Sequence, residues 1–86
     1  MFKEKVIIES ELGLHARPAA KIAEIARRFK ARVYLKKGSQ TADAASILDV
    51  LALVCRKGSA VEIWAEGEEA EKAIKEITTL LRSNAL

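Results

Sequence analysis

The sequence predicts an α+β fold of two layers, a sheet covered by helices on one face and left open on the other. Three observations lead there. Short β-branched or alternating segments exchange with helical periodicities in the order βαββαβα. In the second and fourth strand segments, apolar residues fill one side and polar or aromatic residues the other, so only one face of the sheet is built for burial. Finally, 86 residues, half of them hydrophobic and 31% charged, suffice for one packed core but not for two. Residues 1–86 are therefore expected to form a single domain.

The elements follow in order. Residues 2–9 read FKEKVIIE, with Val6, Ile7 and Ile8 β-branched after a charged alternation, and form a first strand. Gly13 breaks the pattern. From Ala16 onward Ala19, Ile22, Ala23, Ile25, Ala26 and Phe29 recur at helical spacing, while Lys21, Glu24, Arg27 and Arg28 take the other side and Glu24 stands four residues before Arg28. A helix over 16–29 is predicted. Residues 32–37 alternate Val33 and Leu35 with Arg32, Tyr34 and Lys36, and Lys37-Gly38-Ser39 turns the chain into a short arm over 40–42. Ser46 followed by Asp49 ahead of an apolar run is a capping-box-like start for a helix reaching about Val54. After Gly58-Ser59, residues 60–66 put Val61, Ile63 and Ala65 on one face and Glu62, Trp64 and Glu66 on the other. Gly67 precedes a last helix from 68 to about 83, with Ala70, Ala73, Ile74, Ile77, Leu80 and Leu81 inward and its acids at the positive N-terminal end.

Charge narrows the partners. Fifteen Lys and Arg against twelve Asp and Glu give +3, but residues 1–57 hold twelve basic and six acidic side chains and residues 58–86 hold three and six. The front of the chain is the basic part, which favours acidic partners: proteins, phosphates or nucleic acids. The longest apolar run, residues 50–55, is far short of the roughly 20 residues of a membrane-spanning helix, and the N-terminus is charged where a signal peptide turns apolar. A cytoplasmic protein with no membrane insertion is expected. Cys55 is the only cysteine and His15 the only histidine, which excludes an internal disulfide and a four-ligand metal site, so neither metal nor cofactor is expected. Cys55 reads as a small helix residue packed inward. Tyr34 and Trp64 fall together on the open face as cross-strand neighbours, where ordinary sheet packing outweighs base stacking.

The segment that carries chemistry is Gly13-Leu14-His15-Ala16-Arg17-Pro18-Ala19-Ala20. It places the lone histidine at the N-cap of the first helix, beside first-turn N–H groups that have no helical partner and at the positive end of the macrodipole. A ring nitrogen there is free to attack, and a phosphoryl group taken up on it would be stabilised by those N–H groups. Arg17, just inside the helix, could add a charge-assisted bond to the phosphoryl oxygens. Pro18 lacks an N–H where none is needed and fixes the backbone that presents His15. On this ground alone, a histidine at a helix start is more often a surface or capping residue than a nucleophile.

GLHARPAA resembles the active-site motif of the HPr family, the histidine-containing phosphocarriers of the bacterial phosphotransferase system. The likeness extends over the whole chain: its length, its βαββαβα order, Ser46-Ile47-Leu48 at the second helix, and a Gly-Ser before the fourth strand. The resemblance implies a four-stranded antiparallel sheet with three helices on one face. It also implies that His15 is phosphorylated on Nδ1 by phosphorylated enzyme I and hands the group to sugar-specific enzyme II proteins, so that the protein is a carrier and not an enzyme turning over alone. A monomer is expected.

The second helix has too much apolar surface for one core face. Ile47, Leu48, Val50, Leu51, Leu53, Val54 and Cys55 occupy about 220° of its circumference. Either the helix is deeply buried, or Ile47, Leu48 and Leu51 form an exposed patch that, with Ala20, docks partners. HPr proteins use this helix to bind theirs, which favours the patch. Ser46 reads as an N-cap; in the resemblance it aligns with a serine that an HPr kinase phosphorylates in some bacteria. Here Asp49 stands where those targets commonly carry glycine, and Ala45 where lysine is usual. A phosphate on Ser46 is expected within one side-chain reach of a phosphoryl on His15. Two rival functions remain. Glu24 and Asp49, on a surface where sugar-branch carriers often have lysine, suit a nitrogen-related regulatory branch. The basic front half suits a small nucleic-acid-binding domain, although no Arg/Lys cluster interleaved with aromatics supports one.

Overall fold

Alternation along each strand builds one face for burial and one for water. In the computed structural model, which describes residues 1–83, the elements are β1 (Phe2–Ile7), α1 (Ala16–Arg28), β2 (Arg32–Lys37), β3 (Gln40–Asp43), α2 (Ile47–Ala52), β4 (Ala60–Glu66) and α3 (Ala70–Arg82). The order is the expected βαββαβα. The four strands form one sheet in the order β1-β4-β2-β3, every neighbouring pair antiparallel. Val6, Val33, Leu35, Ala42, Val61, Ile63 and Ala65 face the helices and are buried, and α1 and α3 meet them with Ile22, Ala23, Ala73 and Ile77. Truncating one such aliphatic side chain to alanine costs about 2–5 kcal/mol. An exposed ion pair such as Arg28 with Glu24, 3.9 Å apart, contributes about 1 kcal/mol at most, so burial holds the layers together.

The open face carries Lys3 and Lys5, Glu62 and Trp64, and Tyr34 and Lys36. Tyr34 pairs directly with Trp64, as the alternation predicted. The ammonium groups of Lys3 and Lys36 lie 3.9 and 3.7 Å from the centroid of the Trp64 ring, and its Nε1 donates to the Glu62 carboxylate. The indole is thus occupied by cations where a stacked base would have to sit.

Five boundaries differ from the sequence reading. β3 runs one residue past the predicted 40–42, to Asp43, which pairs with Tyr34. β1 stops at Ile7, since beyond it Ile8 and the Gly58-Ser59 turn exchange hydrogen bonds of 2.9 and 2.7 Å outside any strand. α1 ends at Arg28, with Phe29 extended and its N–H bonded back to the Ile25 carbonyl. α3 begins at Ala70 rather than 68 because Glu69 is tied to Lys30, its N–H donating to the Lys30 carbonyl (3.0 Å) and its carboxylate accepting the Lys30 N–H (2.8 Å). α2 ends at Ala52, short of Val54. Leu53 and Val54 donate to the carbonyls of Val50 and Leu51, three residues back, and Val54 turns to a left-handed φ of 52°. That turn sends Cys55 into the core. No helix among the described residues is long and apolar enough to cross a membrane.

Candidate functional site

His15 is placed from two directions. It is the N-cap of α1, extended at φ −94°, ψ −170°, and its carbonyl accepts the Ala19 N–H at 3.0 Å, which closes the first turn. The loop before it is fastened to the chain after α2: the Leu14 N–H donates to the Cys55 carbonyl at 2.7 Å, and Lys57 Nζ meets Glu11 Oε1 at 2.6 Å. Lys57 holds the Glu11 carboxyl below its usual range, through the hydrogen bond first and the charge second. Gly13 makes the approach possible. Its φ is 69°, and a Cβ on it would lie 2.5 Å from the Cys55 oxygen and 2.9 Å from the Arg56 Cα. Both conformation and space require glycine there.

The imidazole makes no capping bond. Its Nε2 is enclosed by protein and has no hydrogen-bond partner among the described residues, whereas Nδ1 is not so enclosed. Facing the ring end of α1, the N–H groups of Ala16 and Arg17 have no acceptor among the described residues, and Pro18 brings none. The Arg17 side chain is exposed and makes neither ion pair nor hydrogen bond among those residues, and the first turn of α1 has no acidic residue to neutralise it. The arrangement is one accessible ring nitrogen, two free N–H donors and a free guanidinium at the positive end of a helix. It can take up an anionic group. No cluster of three or more His, Cys, Asp or Glu side chains among the described residues is placed to hold a metal ion.

The predicted docking residues are exposed unequally. Leu48 is 78% exposed and Ala20 is exposed, but Ile47 and Leu51 are half-buried against the core, and Val50, Leu53 and Cys55 are buried. The wide apolar arc of α2 therefore divides, with one side lining the core, Leu48 outward, and Ile47 and Leu51 between. Cys55 lies inside as the sequence suggested, but in the loop after α2 and not in the helix; burial raises its thiol, and the Lys37 charge partly opposes the rise. Ser46 caps α2, its hydroxyl accepting the Asp49 N–H at 3.2 Å.

The position of Ser46 relative to His15 corrects the sequence reading. Leu14, beside His15, contacts Cys55 after the end of α2, while Arg27 at the other end of α1 donates to the Ala45 carbonyl at 2.8 Å, just before Ser46. Ser46 and His15 therefore flank opposite ends of α2. Six helical residues span about 9 Å, more than a serine phosphate reaches. Sequence reasoning missed Arg27 and Lys37, whose side chains bind main-chain carbonyls far along the chain. Such contacts have no local signature.

Comparison with known proteins places this geometry. The family model described as "PTS HPr component phosphorylation site" matches residues 2–83, and the chain belongs to the HPr family of phosphocarriers. It is 41% identical over 71 residues to the multiphosphoryl transfer protein of Xanthomonas campestris, covering 83% of this chain but only 8% of that longer protein. It is 38% identical over 82 residues to phosphocarrier protein NPr of Escherichia coli, covering 94% of this chain and 91% of the relative. Among solved structures, HPr-C-His from Thermoanaerobacter tengcongensis superposes with a TM-score of 0.92 at 33% identity, over 98% of this chain and 94% of that one.

Proposed function

We propose that this member of the HPr family carries phosphoryl groups on Nδ1 of His15, taking them from phosphorylated enzyme I and passing them to enzyme II proteins of a phosphotransferase system. In the first transfer the Nδ1 lone pair forms the N–P bond while the bond from phosphorus to the donor breaks, and the donor keeps that electron pair. In the second, the acceptor's nucleophile attacks phosphorus and the electrons of the N–P bond return to Nδ1. The N–H groups of Ala16 and Arg17, with the Arg17 guanidinium, stabilise the charge on the phosphoryl oxygens during both steps. Leu48 is the outward centre of the docking surface, with Ile47 and Leu51 at its edge, and exposed Ala20 on α1 contributes to it. The carrier works as a monomer in the cytoplasm; Ser46 is a poor target for an HPr kinase, with Asp49 where such targets commonly carry glycine and Ala45 where lysine is usual.

The observation that carries this reading is the His15 ring at the start of α1, with Nε2 shut in and two N–H donors unused. Incubation with phosphoenolpyruvate and enzyme I, followed by mass spectrometry, tests it. An acid-labile phosphate is expected on the unmodified protein and none on His15→Ala. Because no other histidine is present, such a phosphate on His15→Ala sinks the assignment.

A second reading keeps the chemistry and changes its use, with the phosphate signalling in a nitrogen-related regulatory branch. Glu24 and Asp49 support it, both exposed, and so does the likeness to NPr. Comparing uptake rates from the enzyme I of each branch separates the two.

A further inference from the structure

One strip of backbone, residues 53–56, lies between a lysine and the loop that carries His15. On one side Lys37 Nζ, at the end of β2, donates to the carbonyls of Leu53 at 3.2 Å and Val54 at 2.8 Å. On the other side the next carbonyl, that of Cys55, accepts the Leu14 N–H at 2.7 Å, and Gly13 packs against the same oxygen. His15 follows Leu14 directly.

Between the two sides stands Val54 at φ 52°, a conformation that a β-branched residue adopts only where its surroundings impose it. Its side chain is 54% exposed, so burial does not hold it there. The carbonyls that Lys37 binds belong to the end of α2, where helical donors have run out. Charge-assisted bonds are the stronger kind. Lys37 is half-buried and has no carboxylate partner among the described residues, which leaves its ammonium to these two oxygens.

Resting on the reading of His15 as the phosphoryl acceptor, we propose that Lys37 is a positioning residue for the transfer. By clamping the carbonyls of Leu53 and Val54 it holds Val54 left-handed and keeps the Cys55 oxygen where Leu14 meets it, which sets the His15 ring at the start of α1. Without the clamp, Val54 relaxes toward ordinary backbone angles and the Cys55 oxygen turns away.

Three variants test this, Lys37→Met, Lys37→Arg, and Lys37→Met combined with Val54→Gly. Two quantities are measured: amide hydrogen exchange at Leu14 relative to Ile63 in the central strand, and phosphoryl uptake from phosphorylated enzyme I. Lys37→Met should speed Leu14 exchange about tenfold more than that of Ile63. The same variant should lower the maximal uptake rate about tenfold at an unchanged half-saturating donor concentration, as expected for misplacement and not for lost docking. Lys37→Arg keeps both donors and the charge and should behave as the unmodified protein. Val54→Gly in the Lys37→Met background should restore most of the rate, since glycine enters the left-handed conformation without the steric cost that valine bears. If Lys37→Met does not fold, Lys37→Gln, which keeps a donor without the charge, takes its place with an intermediate effect on Leu14 exchange. The proposal is overturned by Leu14 exchange and uptake at unmodified levels in the uncharged variant, or by a rate loss that Val54→Gly leaves unrepaired. Failure of the underlying function looks different, as the unmodified protein would then take up no phosphate while Leu14 exchange still responded to Lys37.

Discussion

α1 and α2 start in the same way and use the start differently. Both N-cap residues are extended, His15 at φ −94° and Ser46 at φ −108°, and both precede a turn with unpaired N–H groups. At α2 the Ser46 hydroxyl accepts the Asp49 N–H, and the donor is consumed in stabilising the helix. At α1 the cap makes no side-chain bond, and the N–H groups of Ala16 and Arg17 stay free. A good cap is worth about 1 kcal/mol. A capping residue at position 15 would recover that stability and take up an N–H donor that an incoming anion would otherwise meet. The difference teaches that the first helix start keeps its donors free at a small cost in stability, and the second spends one on its own cap.

The strongest challenge to this comparison is His15→Ser. Phosphohistidine should disappear completely, and the serine hydroxyl should raise stability by about 0.5–1 kcal/mol in denaturant unfolding, because it fills the cap that His15 leaves unused. A loss of stability would show that the imidazole supports the helix after all.

Gly13→Ala attacks the placement of the first helix start and leaves the second untouched. A left-handed alanine whose Cβ meets the Cys55 oxygen should cost about 2–4 kcal/mol in unfolding experiments. An unfolding midpoint equal to that of the unmodified protein would mean that the loop before His15 is not anchored on Cys55.

Leu48→Asp separates docking from capping in the second region. The side chain is 78% exposed and sits in the first turn of α2, where an acid is electrostatically welcome, so circular dichroism should show an intact fold. Uptake from enzyme I should slow about tenfold or more, because an unpaired charge enters an apolar contact. Loss of folding would place Leu48 in the core and remove it from the docking surface.

The smallest effect sharpens the contrast. Ser46→Ala should lower stability by about 1 kcal/mol, or roughly 4–8 °C in Tm for a domain of this size. Phosphate uptake on His15 should be unchanged, since Ser46 flanks the opposite end of α2. A slowed uptake would mean that the two helix starts communicate.

The elements were legible because their causes are local. Period-two alternation in Arg32–Lys37 and Ala60–Glu66 set the buried and open faces and the pairing of Tyr34 with Trp64, and helical spacing from Ala19 to Ala26 set the buried stripe of α1. The placement of His15 was legible too, since Gly13 before it and Pro18 after it mark a helix start in adjacent residues. The ends of α2 and α3, the half-burial of Ile47 and Leu51, the distance between Ser46 and His15, and the Lys37 clamp on Leu53 and Val54 came only with the tertiary structure. Each is decided by groups that lie ten or more residues apart and meet only in the fold, as when Lys37 and Leu14 bind successive carbonyls of residues 53–55. Propensity and periodicity describe what a segment favours by itself; which partner completes its unpaired backbone groups depends on the segment that the fold brings beside it.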